Sequence, residues 1–206
     1  MKKILSILCI SLLYSCGTKE VSLDELVNRN ETYFEMNSET PYTGNLRSNH
    51  ENGQLWVKGF LTDGKFSGPW EHYYDNGQSM SSLSYIDGQR SGLYESYHWN
   101  GQKESEGSYL KGEKDGPWEE YYENGQLESK GFWIDGLRSG PWENYHENGQ
   151  VSYVNSFKDG KLDGTRDYYT ESGELFTREV FEDGKKVKTI MKWGLPIKEY
   201  NELKNQ

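Results

Sequence analysis

Glu51-Asn52-Gly53-Gln54 returns every 24 residues, as Asp75-Asn76-Gly77-Gln78, Trp99-Asn100-Gly101-Gln102, Glu123-Asn124-Gly125-Gln126 and Glu147-Asn148-Gly149-Gln150, and fades at Glu171-Ser172-Gly173-Glu174. A strict period of this length is the signature of a repeat architecture, in which each unit is one small motif that becomes stable by stacking on its neighbours. No insertion breaks the phase, so the array holds no inserted domain or catalytic loop.

A second turn follows each Asn-Gly: Asp63-Gly64, Asp87-Gly88, Lys111-Gly112, Asp135-Gly136, Asp159-Gly160 and Asp183-Gly184. Asn-Gly and Asp-Gly are the strongest short hairpin signals, because type I′ turns need positive φ at both central positions. A third glycine column, Gly44, Gly68, Gly92, Gly116, Gly140 and Gly164, extends in three units to Gly-Pro-Trp, at Pro69-Trp70, Pro117-Trp118 and Pro141-Trp142. Proline cannot donate to a ladder, so it marks a strand start or a bulge. The predicted fold is all-β: an elongated single-layer antiparallel meander of about six 24-residue hairpins over residues 41–187. Strands ~4.8 Å apart put equivalent residues of successive units ~9.6 Å apart, in a ribbon on the order of 55–60 Å long.

Composition agrees. Apolar residues are 33% of the chain and aromatics 15%, which suits a thin sheet covered by Tyr and Trp rather than a thick aliphatic core. The net charge of -10 disfavours DNA, RNA and anionic headgroups, so nucleic acid is excluded as a partner.

Lys2 and Lys3 precede an apolar run, Ile4 to Tyr14, too short to span a bilayer and built like a secretory signal over residues 1–15. The junction Leu13-Tyr14-Ser15-Cys16, then Gly17, resembles a bacterial lipobox. That resemblance implies cleavage before Cys16, lipid on Cys16, and a chain anchored to a bacterial membrane, inner or outer, in the cell envelope. The alternative is an ordinary secretory signal with an incidental cysteine. Cys9 lies within the discarded run, so the mature chain would have one thiol and no internal disulfide. Residues 16–40 read as a tether. Within it Ser22-Leu23-Asp24-Glu25 has the form of a capping box followed by Leu26 and Val27, marking a short helix or a linker. Residues 188–206 read as a C-terminal cap or tail.

The candidates for chemistry are few. His50, His98 and His146 share one column but stand 48 residues apart, hence ~19 Å, too far to share a metal ion. The acidic column Glu71, Glu95, Glu119, Glu143 and Asp167 is spaced at the far limit of a glycosidase pair and lacks a cleft, so it reads as cross-strand partners. The sequence carries no motif for a catalytic triad or a phosphate loop. The expectation is a non-enzymatic protein with no catalytic residue, metal or cofactor. The aromatic columns Trp70, Trp118 and Trp142, with Tyr73, Tyr97, Tyr121 and Tyr145, either pack the ribbon or form a binding surface. Both readings hold if one face of the sheet is left open.

Gly-x-Trp/Tyr-x-x-Tyr-Tyr-x-Asn-Gly-Gln followed by Asp-Gly resembles the bacterial variant of the MORN repeat, over roughly Pro41 to Gly184. The resemblance implies a single-layer β meander, and many such bacterial arrays carry the label of YwqK-type antitoxins. The fifth unit departs from the pattern at Gly164-Thr165-Arg166, as does the sixth at Lys188-Thr189-Ile190. The functional expectation is a membrane-anchored protein-interaction scaffold, antitoxin-like, with an unidentified protein partner. The alternative is an envelope glycan-binding protein using its aromatic ladders. The two halves of the first expectation pull apart: antitoxins meet their toxins in the cytoplasm, whereas a lipidated chain faces the envelope.

Overall fold

The computed structural model describes residues 19–192; the signal segment expected over residues 1–15, Cys16 and residues 193–206 lie outside the described residues. The array is one open sheet in which strands pair with their neighbours in chain order. Outgoing strands include Gly44–Asn49, Lys65–Tyr73, Gly92–Tyr97, Gly116–Tyr121, Leu137–Tyr145 and Lys161–Tyr169. They alternate with return strands Leu55–Thr62, Ser79–Ile86, Lys103–Leu110, Leu127–Ile134, Val151–Lys158 and Leu175–Glu182. Every neighbouring pair from Gly44–Asn49 to Lys185–Lys192 is antiparallel, as the meander requires. The last strand, Lys185–Lys192, pairs with Leu175–Glu182, so the sheet runs five residues past the boundary expected at residue 187.

The two turn columns differ, which corrects the expectation of type I′ at both. The Asp-Gly turns do have positive φ at both residues, for example 49° at Asp63 and 75° at Gly64. At the Asn-Gly turns only the glycine is positive, 84° at Gly53. There the Gly53 N–H donates to His50 O at 2.9 Å and the His50 N–H to Gln54 O at 2.8 Å, the three-residue hairpin loop whose third residue alone is left-handed. Asn52 stays at negative φ because its Oδ1 accepts the Gln54 N–H at 3.0 Å, closing a side-chain turn. One extra residue on each return strand follows, at Trp56, Met80, Glu104, Glu128, Ser152 and Phe176.

Both ribbon edges are laced from unit to unit. On one edge Asn100 Nδ2 donates to Glu123 O at 2.8 Å, and Gln102 lies against Gly125, where a Cβ would meet its Oε1 at 2.3 Å. Asn-Gly-Gln is therefore one device: asparagine reaches forward, glutamine covers the next turn, and glycine leaves it room. On the other edge each Asp-Gly turn donates one unit back, as from Gly88 N to Phe66 O at 2.9 Å and Gly136 N to Lys114 O at 2.9 Å, and Lys111-Gly112 does the same.

Residues 19–40 are ordered against the array. Glu20–Val21 pairs in parallel with Gly44–Asn49, and the Ser22 N–H donates to Glu25 Oε2 at 2.9 Å at the head of a 3-10 turn, Leu23–Glu25. The small hairpin Leu26–Arg29 with Thr32–Glu35 follows, and its Tyr33 N–H donates to Gly64 O at 2.8 Å. The apolar core sits here: Val21, Leu26, Tyr42, Leu46, Val57, Leu61, Trp70 and Leu83 form one buried cluster.

Candidate interaction face

Side chains alternate across each strand, so the sheet has two faces of different chemistry. One carries the tryptophan column. Trp70, Trp118 and Trp142 are 3%, 2% and 1% exposed; the N-terminal segment joins the cluster around Trp70, whereas no second layer covers Trp118 and Trp142. They are buried by three local devices. Below, each indole lies on a glycine of the preceding return strand, Gly59, Gly107 or Gly131, where a Cβ would stand 2.0–2.3 Å from the ring. Beside them stand the return-strand aromatics, with Tyr109 and Trp118 at 5.6 Å and Trp133 and Trp142 at 5.5 Å, edge to face. Above, the residue four positions earlier forms a roof: Phe66 at 4.1 Å from Trp70, Lys114 Nζ 3.6 Å over Trp118, Arg138 4.3 Å over Trp142. Burial in this cage holds the Lys114 amine below its ordinary pKa. The tryptophans proposed from the sequence for binding are thus packed and roofed, with no open ring for a sugar or peptide.

The opposite face carries the acidic and tyrosine columns. Glu71 takes a hydrogen bond from the Tyr73 hydroxyl and an ion pair from Lys58 at 2.9 Å. Lys103 bridges Glu95 at 2.9 Å and Glu106 at 2.6 Å, and the Tyr97 hydroxyl donates to Glu95 at 3.1 Å. The Tyr121 hydroxyl lies between Glu106, 2.7 Å, and Glu119, 2.5 Å. Lys130 pairs with Glu143 at 3.1 Å, beside the Tyr145 hydroxyl, and Arg178 grips Asp167 with two bonds of 2.6 Å. These partners hold the carboxyls of Glu71, Glu95, Glu106 and Glu143 below the ordinary range; the hydrogen bond from tyrosine leads at Glu71 and Glu143, and that from Lys103 at Glu95 and Glu106. Burial, then the two adjoining carboxylates, pushes the Tyr121 hydroxyl up, which keeps it a donor. The acidic column is a set of cross-strand partners, and Tyr73, Tyr97, Tyr121 and Tyr145 organise it. No ion pair to Glu119 forms among the described residues.

The histidine column has a structural role. His50, His98 and His146 each donate from Nε2 to a backbone oxygen of the next unit, Tyr73, Tyr121 and Tyr169, at 2.8, 2.7 and 3.2 Å. Tyr74 and Tyr122 do the same with their hydroxyls.

On the acidic face the sheet is recessed. A shallow groove of about 640 Å³ runs between Pro69 and Pro117, floored by Ser82, Ser84 and Ser108 and edged by Glu71, Glu95, Glu106 and Glu119. Leu93 occupies the proline position of the intervening unit and is 80% exposed within it. Ile86, Leu110, Phe132, Ile134 and Leu137 lie on this face toward the Asp-Gly edge. They too are exposed, so half of the twelve exposed large apolar side chains among the described residues collect here.

Sequence reasoning missed both the glycines under the indoles and the groove. Lys58-Gly59-Phe60, Glu106-Gly107-Ser108 and Lys130-Gly131-Phe132 are a visible column, and Leu83 and Asn155 break it in the units where Tyr94 and Arg166 replace tryptophan. That covariation within one chain was the available signal.

Comparison with known families places these columns. Three segments match the MORN repeat variant. They are residues 66–87, 114–135 and 138–159. The matched MORN-variant segments are those with the complete Gly-Pro-Trp strand. The unit between the first two, with Gly92-Leu93-Tyr94 in its place, is unmatched, and it forms the middle of the groove. A comparison with curated proteins found no match.

Proposed function

We propose that this repeat protein is a non-enzymatic protein-binding scaffold that presents its acidic face to a partner and is held at a bacterial membrane by lipid on Cys16. The observation that carries the reading is the groove at the unit between the first two matched segments, which departs from the MORN-variant pattern at Leu93-Tyr94. In a repeat array the regular units supply length and rigidity, and a local departure that opens a recess and exposes Leu93 is where recognition is concentrated. The tryptophan face supports this by exclusion, since its rings are already covered. An antitoxin-like role is the finer form of the proposal: the partner would be masked along the acidic face, in the envelope where lipidated Cys16 holds the chain.

The test has two parts. Lipid labelling and fractionation of the native chain beside Cys16→Ser should give labelled, membrane-bound protein only for the native form. Photo-crosslinking residues placed at Leu93 and, separately, at Glu128 on the other face should trap a discrete protein from Leu93 alone. Equal trapping from both positions, or from neither, would overturn the scaffold reading, and unlabelled soluble native protein would overturn the anchor.

A further inference from the structure

The exposed apolar residues of the acidic face have a period of their own. Ile86, Leu110 and Ile134 occupy one column, so they recur once per unit, ~9.6 Å apart along the ribbon. The column Pro69, Leu93, Pro117 and Pro141 runs beside it with the same spacing, and Glu71, Glu95, Glu119 and Glu143 beside that. A ligand running along the ribbon therefore meets apolar, then proline or leucine, then carboxylate surface once every ~9.6 Å. A polyproline II segment turns once every three residues and rises ~3.1 Å per residue, so it repeats each side-chain direction every ~9.3 Å. The two repeats agree to within ~0.3 Å per unit. Such a segment has no internal hydrogen bonds to break as it follows the twist of the sheet.

Charge selects among the occupants of such a face. Between residues 58 and 143 the strands of this face carry Glu71, Glu95, Glu106, Glu113, Glu119 and Glu143 against Lys58, Lys65, Lys103 and Lys130. The deficit of cations falls at the Glu106–Tyr121–Glu119 bridge, on the rim of the groove. A second copy of the same face would set carboxylates against carboxylates, and an anionic lipid surface would be repelled in the same way. A cationic, partly apolar polypeptide is attracted.

We propose that the acidic face binds an extended, polyproline II-like segment of a partner protein in which an apolar and a basic residue each recur at every third position. The apolar residues lie over Ile86, Leu110 and Ile134 and in the recess beside Leu93. The basic residues reach Glu119 first, and then Glu95, Glu106 and Glu143 in competition with Lys103 and Lys130. This rests on the scaffold reading above and adds the chemistry and period of the partner.

The test uses the full-length chain in detergent and three labelled peptides: five repeats of Leu-Pro-Lys, a shuffled peptide of the same composition without the three-residue phase, and five repeats of Leu-Pro-Glu. Fluorescence anisotropy should show the phased cationic peptide binding on the order of tenfold more tightly than the shuffled one, with affinity falling as salt rises. Glu106→Gln with Glu119→Gln should weaken it severalfold, whereas the same charge change at Glu104 and Glu128, on the other face, should leave it unchanged. Circular dichroism of each variant confirms that the array is folded. Equal binding of the shuffled or the acidic peptide, equal loss from the control variants, or preference for anionic vesicles over the phased peptide would overturn the inference. A partner crosslinked from Leu93 with no binding of the phased peptide would overturn it while leaving the scaffold reading in place.

Discussion

The indole of Trp142 rests on the backbone of Gly131, so close that a Cβ on that glycine would stand 2.2 Å from the ring. A tryptophan 1% exposed on a single-layer sheet exists because its neighbour has no side chain. Gly131→Ala is therefore expected to lift the ring from its seat and from Arg138, at a cost of ~1–3 kcal/mol by overpacking. Gly140→Ala is the comparison. Nothing lies within 4 Å of a Cβ there, and the cost comes from its φ of 67° alone, ~1 kcal/mol. Urea unfolding gives both values, and a shift in tryptophan emission should accompany only the first. Equal costs and equal spectra would show that the stack does not hold the ring.

The sequence showed the hairpins because Asp-Gly and Asn-Gly each advertise a backbone conformation that few residues adopt. It showed less about the faces. The period of 24 assigns Trp118 and Tyr121 to columns, but only the position of Lys114 over the indole decides that one column is closed and the other open. The tether was the least legible part. Val21, Leu23, Leu26 and Val27 are a short apolar series without strand alternation, and nothing local predicts that Glu20–Val21 pairs with Gly44–Asn49 and covers Leu46. That pairing is long-range, and it exists because the first strand of a meander would otherwise be an open edge.

His98 and Tyr74 make the same contact by different chemistry, since His98 Nε2 donates to Tyr121 O and the Tyr74 hydroxyl to Tyr97 O, both at 2.7 Å. His98→Tyr should be tolerated within ~0.5 kcal/mol. His98→Phe keeps the ring and loses the donor, leaving the Tyr121 oxygen without it, at a cost of ~0.5–1.5 kcal/mol. If urea midpoints for the two variants coincide, the column is held by packing rather than by this bond.

The acidic face gives the protein a defined response to acid. Glu71, Glu95, Glu106 and Glu143 have folded-state pKa values below their unfolded ones, so their contribution is complete above the unfolded value of ~4.3 and is lost as pH falls through the lower folded values. Stability is expected to hold from neutrality to about pH 5 and then to decline. Each pair is worth at most ~1 kcal/mol, because side chains this exposed are screened by water. A variant with all four changed to Gln should be less stable at pH 7 and show a shallower decline in Tm between pH 5 and pH 3. An unchanged slope would place the acid response in other groups.

The fifth unit offers a direct test of the rule that tryptophan requires glycine. Where the earlier units stack Trp142 on Gly131, this one pairs Arg166 Nε with Asn155 Oδ1 at 2.7 Å, and Asn155 is 4% exposed. Arg166→Trp alone would press an indole onto the asparagine and strip that buried amide of its partner. Asn155→Gly alone would cost the guanidinium that bond and leave it the Tyr168 hydroxyl at 3.2 Å and its place 4.8 Å over Phe181. Together they recreate the glycine seat, with Leu162 four residues earlier in the roof position that Phe66 fills over Trp70. Each single change is expected to destabilise by ~1–3 kcal/mol, and the double variant to recover most of the loss, with a coupling energy of ~1–3 kcal/mol in a double-mutant cycle. Losses that simply add would mean that the tryptophan is seated by the Gly-Pro-Trp strand itself, which the fifth unit lacks at Thr165, and not by the residue beneath it.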